Sequence, residues 1–292
     1  KFTLTETQVK ARSILASAAI YILLLGGSRS GKTFLMIYAI IYRACKAPGS
    51  RHCVIRHRFN AVKTSIIMDT FPKVMALCFP YTQWHLNRSD WYVQLPKGSE
   101  VWFDGLDDEQ RADKILGKEY ATVYFNEASE ISYGAYCTAI TRLAQNIPGL
   151  KNKIYADCNP PSKHHWLHYL WVDHIDPQSQ EPKDVSEYAS LQMNPADNME
   201  NLPSGYLKQL EGLPPAKRKR FLYGQWGLPE GLVFEPLPPT PDEWTPQSKM
   251  YGLDFGFNDP MALIEIGKGD QAYSVKELVY RRNKKTDDLK KF

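Results

Sequence analysis

Short apolar runs and longer amphipathic stretches alternate along the first half of the chain. The run IYILLL (20–25) reads as a buried strand, and the pattern from Lys32 to about Cys45 reads as a helix with a broad apolar face. HCVIR (52–56) follows as a second buried strand, then a helical stretch to about Phe79. WYVQL and EVWFDGL flank PKGS and predict a hairpin. ATVYFNEAS (121–129), a helix through Arg142, and KIYADCNP (153–160) complete the half. Strands without polar alternation, mostly separated by helices, imply a largely parallel sheet covered on both faces, and so an α/β fold.

Past Pro160 the pattern breaks. Pro, Asn and His are dense to about residue 203, followed by the helical SGYLKQLEGL, the basic PPAKRKRFLYGQWG and the Pro-rich PEGLVFEPLPPTPDEWTP, which reads as a linker. From Lys249 the chain alternates like paired strands. The expected division is 1–200, a nucleotide-binding domain; 201–246, a linker subdomain; and 247–292, the start of a second domain.

Composition narrows the class only slightly. The net charge of +4 on 292 residues does not announce a nucleic-acid partner, so local clusters must carry that case. Five cysteines, at 45, 53, 78, 137 and 158, include no CxxC pair, which points away from a zinc site or disulfide framework and toward a reducing compartment. No apolar run reaches the roughly 20 residues of a membrane span, and KFTLTETQVKAR lacks the character of a secretory signal. A soluble protein is expected, with native residues preceding Lys1.

The strongest chemical signal is GGSRSGKT, residues 26–33, between the first strand and the first long helix. Gly26, Gly31, Lys32 and Thr33 satisfy GxxxxGK[ST]. Glycines let successive N–H groups turn toward phosphate oxygens, the helix start adds positive dipole, lysine reaches the β- and γ-phosphates, and the threonine hydroxyl suits Mg²⁺. The backbone of Gly26, Gly27, Ser28, Arg29, Ser30 and Gly31 would form the cradle. Arg29 reads either as a solvated loop cation or as a charge beside the γ-phosphate.

Hydrolysis needs an acid near that loop. Glu127, at the tip of TVYF, is the candidate to orient or activate water; the alternative is a carboxylate complementing a helix dipole. Asn126 stands where an Asp usually supports Mg²⁺, so weaker metal binding is expected. Asn159, at the end of a third strand before a proline, could sense the γ-phosphate, or simply start a turn. Gln8 in TETQ could read an adenine edge, or be a surface glutamine.

Taken in order, TLTETQ, GGSRSGKT, TVYFNEASE, DCNP, FLYGQWG and YGLDFGFNDP resemble the large terminase subunit of tailed bacteriophages over nearly the whole chain. The resemblance implies a P-loop ATPase domain with a mostly parallel sheet, a small linker subdomain and the start of a ribonuclease H-like nuclease domain. It assigns Gln8 to adenine, Arg29 to the Walker A loop, Glu127 to catalysis, and Asn159 with Pro160 to coupling. Asp254 matches the first metal-binding aspartate of the nuclease. Implied cofactors are ATP with Mg²⁺, and Mg²⁺ or Mn²⁺ for the nuclease; implied partners are double-stranded DNA, read without sequence preference, the portal protein and the small terminase subunit. A homo-oligomeric ring in the host cytoplasm, docked transiently at the procapsid portal and absent from the mature virion, is the implied setting.

One aspartate cannot hold the two metal ions of such a nuclease, and the sequence ends before the later strands on which the resemblance places the further acidic ligands, so this chain alone is not expected to cut DNA. RHCVIRHR (51–58), AKRKR (216–220) and RRNKK (281–285) are the candidate phosphate-contacting clusters, each of which reads equally as a solvated face. If the implied ring forms, Arg111, Lys114 and Arg142 are candidates to complete a neighbouring subunit's site, with ordinary surface charge the favoured reading of any one of them. Rival readings are another P-loop DNA translocase or helicase, a nucleotide-dependent switch with poor turnover, and a small-molecule kinase.

Overall fold

The computed structural model describes residues 3–106, 117–227, 244–255, 261–270 and 272–281. The chain divides into two compact units, 1–232 and 233–292.

In the first unit, α1 (Glu6–Ala16) opens with a capping box in which Thr5 accepts from the Gln8 backbone and the Gln8 side chain accepts from the Thr5 N–H. β1 (Tyr21–Leu25) leads through the glycine loop into α2 (Lys32–Lys46). Then come β2 (Arg51–Arg56), β3 (His85–Asn87), β4 (Tyr92–Gln94), β5 (Glu100–Gly105), β6 (Thr122–Phe125), β7 (Lys153–Cys158) and β8 (Tyr188–Gln192). Among the described residues they form one sheet in the order β3-β4-β5-β2-β6-β7-β1-β8, parallel from β5 to β8 and antiparallel at the β3-β4-β5 end.

Alternate strand residues feed two cores, one on each face. Ile22, Leu24, Val54, Tyr124 and Tyr155 pack with α1, α2 and the helical stretch ending at Cys78. Leu23, Leu25, Ile55, Val123, Phe125, Ile154 and Ala156 pack with Tyr136 of helix Tyr133–Ile140 and with Trp166, Leu170 and Trp171. Each fully buried side chain of this kind contributes about 1.5–3 kcal/mol. The continuously apolar strands thus have the covered faces their pattern predicts.

Two differences from the sequence expectation have physical causes. The helix expected to run to Phe79 is broken: Phe59–Val62 passes through a π-helical stretch, Lys63–Thr70, before Phe71–Cys78. Pro72, which has no N–H to give to a preceding turn, follows immediately after that irregularity. Within the Pro-, Asn- and His-rich region lies β8, whose residues are half-buried or exposed because it pairs with β1 at the sheet edge. An edge strand needs only one neighbour, so its apolar pattern is weak.

Residues 201–227, read from sequence as part of a separate linker subdomain, lie in the first unit as helices Tyr206–Glu211 and Pro215–Phe221 with the segment after them. The second unit contains β9 (Ser248–Asp254), β10 (Met261–Lys268) and β11 (Tyr273–Arg281), antiparallel in the order β11-β10-β9.

Candidate nucleotide site

The tips of β1, β7 and β6 are neighbours in the sheet, and the chemistry-bearing residues gather there. The loop after β1 requires its glycines. Gly26 has φ of 139°, and a Cβ there would lie 1.9 Å from the Met193 carbonyl oxygen. Gly31 has φ of 93° at the start of α2. Arg29 adopts the left-handed region at φ of 57°, uncommon for a residue with a side chain, and its side chain is exposed.

Three distant segments brace this loop. The Gly27 N–H donates to Asn194 Oδ1 at 3.1 Å, and the Ser28 N–H donates to the Phe221 carbonyl at 2.8 Å. Asn198 Nδ2 donates to the Arg29 carbonyl at 2.8 Å, while Asn198 Oδ1 accepts from Gln8 Nε2 at 2.9 Å. Gln8 is therefore buried beneath the loop, with its Oε1 and one amide hydrogen committed to structure. The braces occupy the N–H groups of Gly27 and Ser28 and leave those from Arg29 onward out of their reach.

Lys32 is 8% exposed and folds back over the loop, donating from Nζ to the Gly27 carbonyl at 2.6 Å, Ser30 Oγ at 3.1 Å and Asn159 Oδ1 at 3.4 Å. Burial lowers its pKa from the ordinary lysine value, opposed by the charges of Asp157 and Glu127. Lys32 thus joins the loop to the β7 tip.

The β6 tip supplies Asn126, 2% exposed, and Glu127. Glu127 is left-handed, with φ and ψ both 51°, a conformation that costs about 1–3 kcal/mol and persists only when its surroundings hold it. Its N–H donates to Asp157 Oδ1 at 2.8 Å. Burial, with Asp157 adding to it, pushes the Glu127 carboxyl up to about 7, against the opposing charges of Lys32 and Arg56.

Asp157 was not singled out from the sequence, yet it joins the two tips. It is 1% exposed; Thr33 Oγ1 donates to its Oδ2 at 2.7 Å, and Asn126 Nδ2 lies 3.0 and 3.3 Å from its two oxygens. An unpaired carboxylate at that depth would cost several kcal/mol, so these donors are what make it tolerable. A charged residue inside an otherwise apolar strand, KIYADC, was the available signal. Asn194 and Asn198 were also missed; their signal was a second Asn-Pro at a strand end, in MNPADN, matching Asn159-Pro160. The Thr33 hydroxyl and the Asp157 carboxylate are hard oxygen donors side by side, a set that suits Mg²⁺.

Other candidates lie apart. In RHCVIRHR, residues 52–55 are the buried interior of β2, so the cluster is not one basic face. Its Arg51 pairs with Glu100 at 3.2 Å and Arg56 with Glu130 at 3.5 Å. A strand sends alternate residues to opposite faces, and closely spaced cations there do not make a patch. Lys217 and Lys219 of helix Pro215–Phe221 are exposed. The carbonyl of Arg142 accepts from the Tyr120 N–H at 2.8 Å, just before β6 and so at the end of that strand away from Glu127. Arg111, Lys114 and residues 282–285 lie outside the described residues. Asp254 is exposed at the end of β9, and among the described residues no group of three or more His, Cys, Asp or Glu gathers into a metal site.

The family model Terminase_3, phage terminase large subunit, matches residues 18–225. The chain belongs to this family, that of the phage DNA-packaging ATPases. The large terminase of a thermophilic bacteriophage is similar in fold, with a TM-score of 0.65 at 18% identity over 99% of this chain and 73% of that one. The same phage protein has been solved with ADP and with ATP-γ-S. The ATPase domain of the Thermus phage P74-26 large terminase matches 77% of this chain and 95% of its own, with a TM-score of 0.53 at 15% identity for 94% in a second structure and 0.55 at 14% for the first. The HK97 bacteriophage large terminase gives 0.56 at 14% identity over 94% of this chain and 63% of that one. The curated proteins contain no match. The loop, Glu127, Asp157, Asn159 and the bracing segment from Asn194 to Phe221 all fall inside the region matched by the family.

Proposed function

We propose that this terminase chain binds Mg²⁺-ATP on the loop 26–33, hydrolyses it, and uses the cycle to drive double-stranded DNA into a procapsid. The observation that carries this reading is the meeting of the loop, Glu127 and Asn159 at three adjacent strand tips, with Lys32 Nζ within 3.4 Å of Asn159 Oδ1. In open α/β sheets ligands bind at the carboxyl ends of the strands, where these residues stand.

Gly26, Gly27, Ser28, Arg29, Ser30 and Gly31 shape the phosphate cradle. Lys32 exchanges its loop carbonyls for the β- and γ-phosphates, and Thr33 offers its hydroxyl to Mg²⁺. Glu127 orients or activates the attacking water from the protein side. Asn159, already held by Lys32, registers whether that lysine is engaged by phosphate. Arg29, exposed on the loop, supplies a cation toward the γ-phosphate. For Gln8, the committed amide leaves one N–H for an adenine edge, so its role is to place the loop and, with that remaining hydrogen, to meet the base. The nucleotide complexes of the thermophilic-phage terminase support the choice of ligand.

DNA contact without sequence preference suits exposed cations such as Lys217 and Lys219. In the assembled state the reading includes a ring of copies at the portal, with the small terminase subunit as a partner, in the host cytoplasm. Among the described residues no helix is long and apolar enough to cross a membrane. A metal-dependent endonuclease activity involving Asp254 with Mg²⁺ or Mn²⁺ is a further part of the proposal.

The test is steady-state ATP turnover with and without duplex DNA, beside Glu127→Gln. Turnover that rises with DNA and falls about 10²-fold or more in the variant is expected, the scale of a lost general base. A wild type that binds ATP but turns over no faster than the variant, with or without DNA, would make the nucleotide switch the better reading.

A further inference from the structure

Asn126 stands at the β6 tip without charge, while the neighbouring strand tip carries a buried carboxylate bonded to the loop threonine. We infer that Asp157, on β7, positions the Mg²⁺ of the bound nucleotide, the task having moved one strand over from the residue at 126. The inference rests on the nucleotide site proposed above.

Three contacts carry it. Thr33 Oγ1 donates its hydrogen to Asp157 Oδ2 at 2.7 Å. A hydroxyl that serves a cation must present a lone pair to it and send its hydrogen elsewhere, and Asp157 is the acceptor that sets this rotor. The second contact explains Asn126. Its Nδ2 lies 3.0 and 3.3 Å from the two Asp157 oxygens and 3.4 Å from Thr33 Oγ1, so the amide gives hydrogens where a second carboxylate would meet Asp157 as a like charge. Asn126 and Asp157 are thus a complementary pair holding one negative charge between them. Third, the Glu127 N–H donates to Asp157 Oδ1 at 2.8 Å, so the same carboxylate that faces the Thr33 hydroxyl also fixes the backbone of the catalytic candidate. A side chain needed only to brace Glu127 would require one oxygen; the other is turned to the threonine.

Asp157 is then a positioning residue for cofactor and catalyst together, and a metal read-out separates it from a brace. The full chain is titrated with ATP-γ-S in EDTA and in Mg²⁺, for wild type, Asp157→Asn, and the exchange Asn126→Asp with Asp157→Asn. Wild-type affinity is expected to tighten at least tenfold with Mg²⁺. Asp157→Asn should lose that gain to within twofold while keeping its EDTA affinity within about threefold, and the exchange should recover part of the gain.

In parallel, wild type carrying carboxylate-¹³C aspartate is loaded with Mn²⁺-ATP-γ-S and examined by electron–nuclear double resonance, which needs no variant to fold. A ¹³C coupling to manganese is expected. Absence of that coupling, or a folded Asp157→Asn that keeps the full Mg²⁺ gain, would overturn the inference while leaving the nucleotide site intact. Failure of the wild type to bind ATP-γ-S under any condition would instead remove the nucleotide reading itself.

Discussion

Gly224 lies almost two hundred residues from the phosphate loop in sequence and against it in space. Its φ is +59°, and a Cβ built there would sit 2.5 Å from Gly26 Cα, 2.8 Å from Gly27 N and 2.5 Å from Asn194 Oδ1. Gly224→Ala therefore combines two faults. The left-handed conformation costs an alanine about 1–2 kcal/mol. The added methyl also meets two loop backbone atoms and the side chain that accepts from the Gly27 N–H, and breaking that hydrogen bond costs about 1–3 kcal/mol more. Alanine returns about 0.4–1 kcal/mol by restricting the unfolded chain.

The net expectation is a loss of about 2–4 kcal/mol, which in a unit of this size lowers the melting temperature by roughly 5–15 °C. Gly227→Ala is the internal control. Its φ is not positive, and among the described residues the nearest atom to its added methyl is the Pro161 carbonyl oxygen at 3.8 Å, ordinary contact. Thermal melts with and without Mg²⁺-ATP-γ-S compare the two. Gly224→Ala should melt well below Gly227→Ala and gain less from nucleotide, because the displaced atoms belong to the proposed phosphate cradle. Two variants that melt together, with equal nucleotide stabilisation, would refute the claim that this segment holds the loop.

Asn194→Ala removes both the acceptor for Gly27 and the cap of the 3₁₀ turn Pro195–Asn201; urea unfolding should show a loss of about 1–2 kcal/mol, with weaker ATP-γ-S binding by calorimetry. His52 is fully buried between Ser50 Oγ and Thr122 Oγ1, and burial, aided by Arg43, lowers its pKa to about 3. The unfolded chain takes up that proton as pH falls below about 6.5 and the folded one does not, so stability present above 6.5 is lost toward pH 3, by up to about 2 kcal/mol between 6.5 and 5. Urea titrations across that range should show the slope, and His52→Gln should flatten it. Lys153 donates to the Leu15 and Ser17 carbonyls at the end of α1, at 2.9 and 2.6 Å, so Lys153→Met should lower the urea midpoint by the equivalent of about 1–3 kcal/mol. Asp254→Asn lies in the second unit, and ATP turnover should match wild type within experimental scatter.

What could be read from the sequence was whatever a local pattern demands. A GxxxxGK[ST] loop needs a strand before it and a helix after it, and β1 and α2 are both there. TVYF is apolar on both faces because β6 lies between β2 and β7, so the polar residues after it had to mark a strand tip. Asp157 escaped because its justification is tertiary: the donors that make its burial tolerable come from residues 33, 126 and 127. The cluster at 51–58 is less of a patch than its charge count implies for the opposite reason, since charge counted along a strand ignores that residues 52–55 are core. β8 left little trace because an edge strand has only half the burial of a central one.

The brace around the loop belongs to that tertiary class, and its arrangement limits how the loop can respond to phosphate. Gly27 is tied to Asn194, Ser28 to Phe221, and Arg29 to Asn198 and through it to Gln8. None of these partners is adjacent to the loop in sequence, and Phe221 ends the helix that presents Lys217 and Lys219. Hydrogen bonds of 2.8–3.1 Å weaken steeply with displacement, so a shift of the first loop residues must either carry the Pro215–Phe221 helix with it or break the Ser28 bond. Lys32 holds the other side, bonded to the Gly27 carbonyl and to Asn159, and a phosphate that draws its ammonium away releases both. The loop is thereby a junction where the occupancy of one lysine bears on β7 and, through Ser28, on a basic helix. If Lys217 and Lys219 meet DNA and the loop holds nucleotide, as proposed, this shared element is where the two would be coupled.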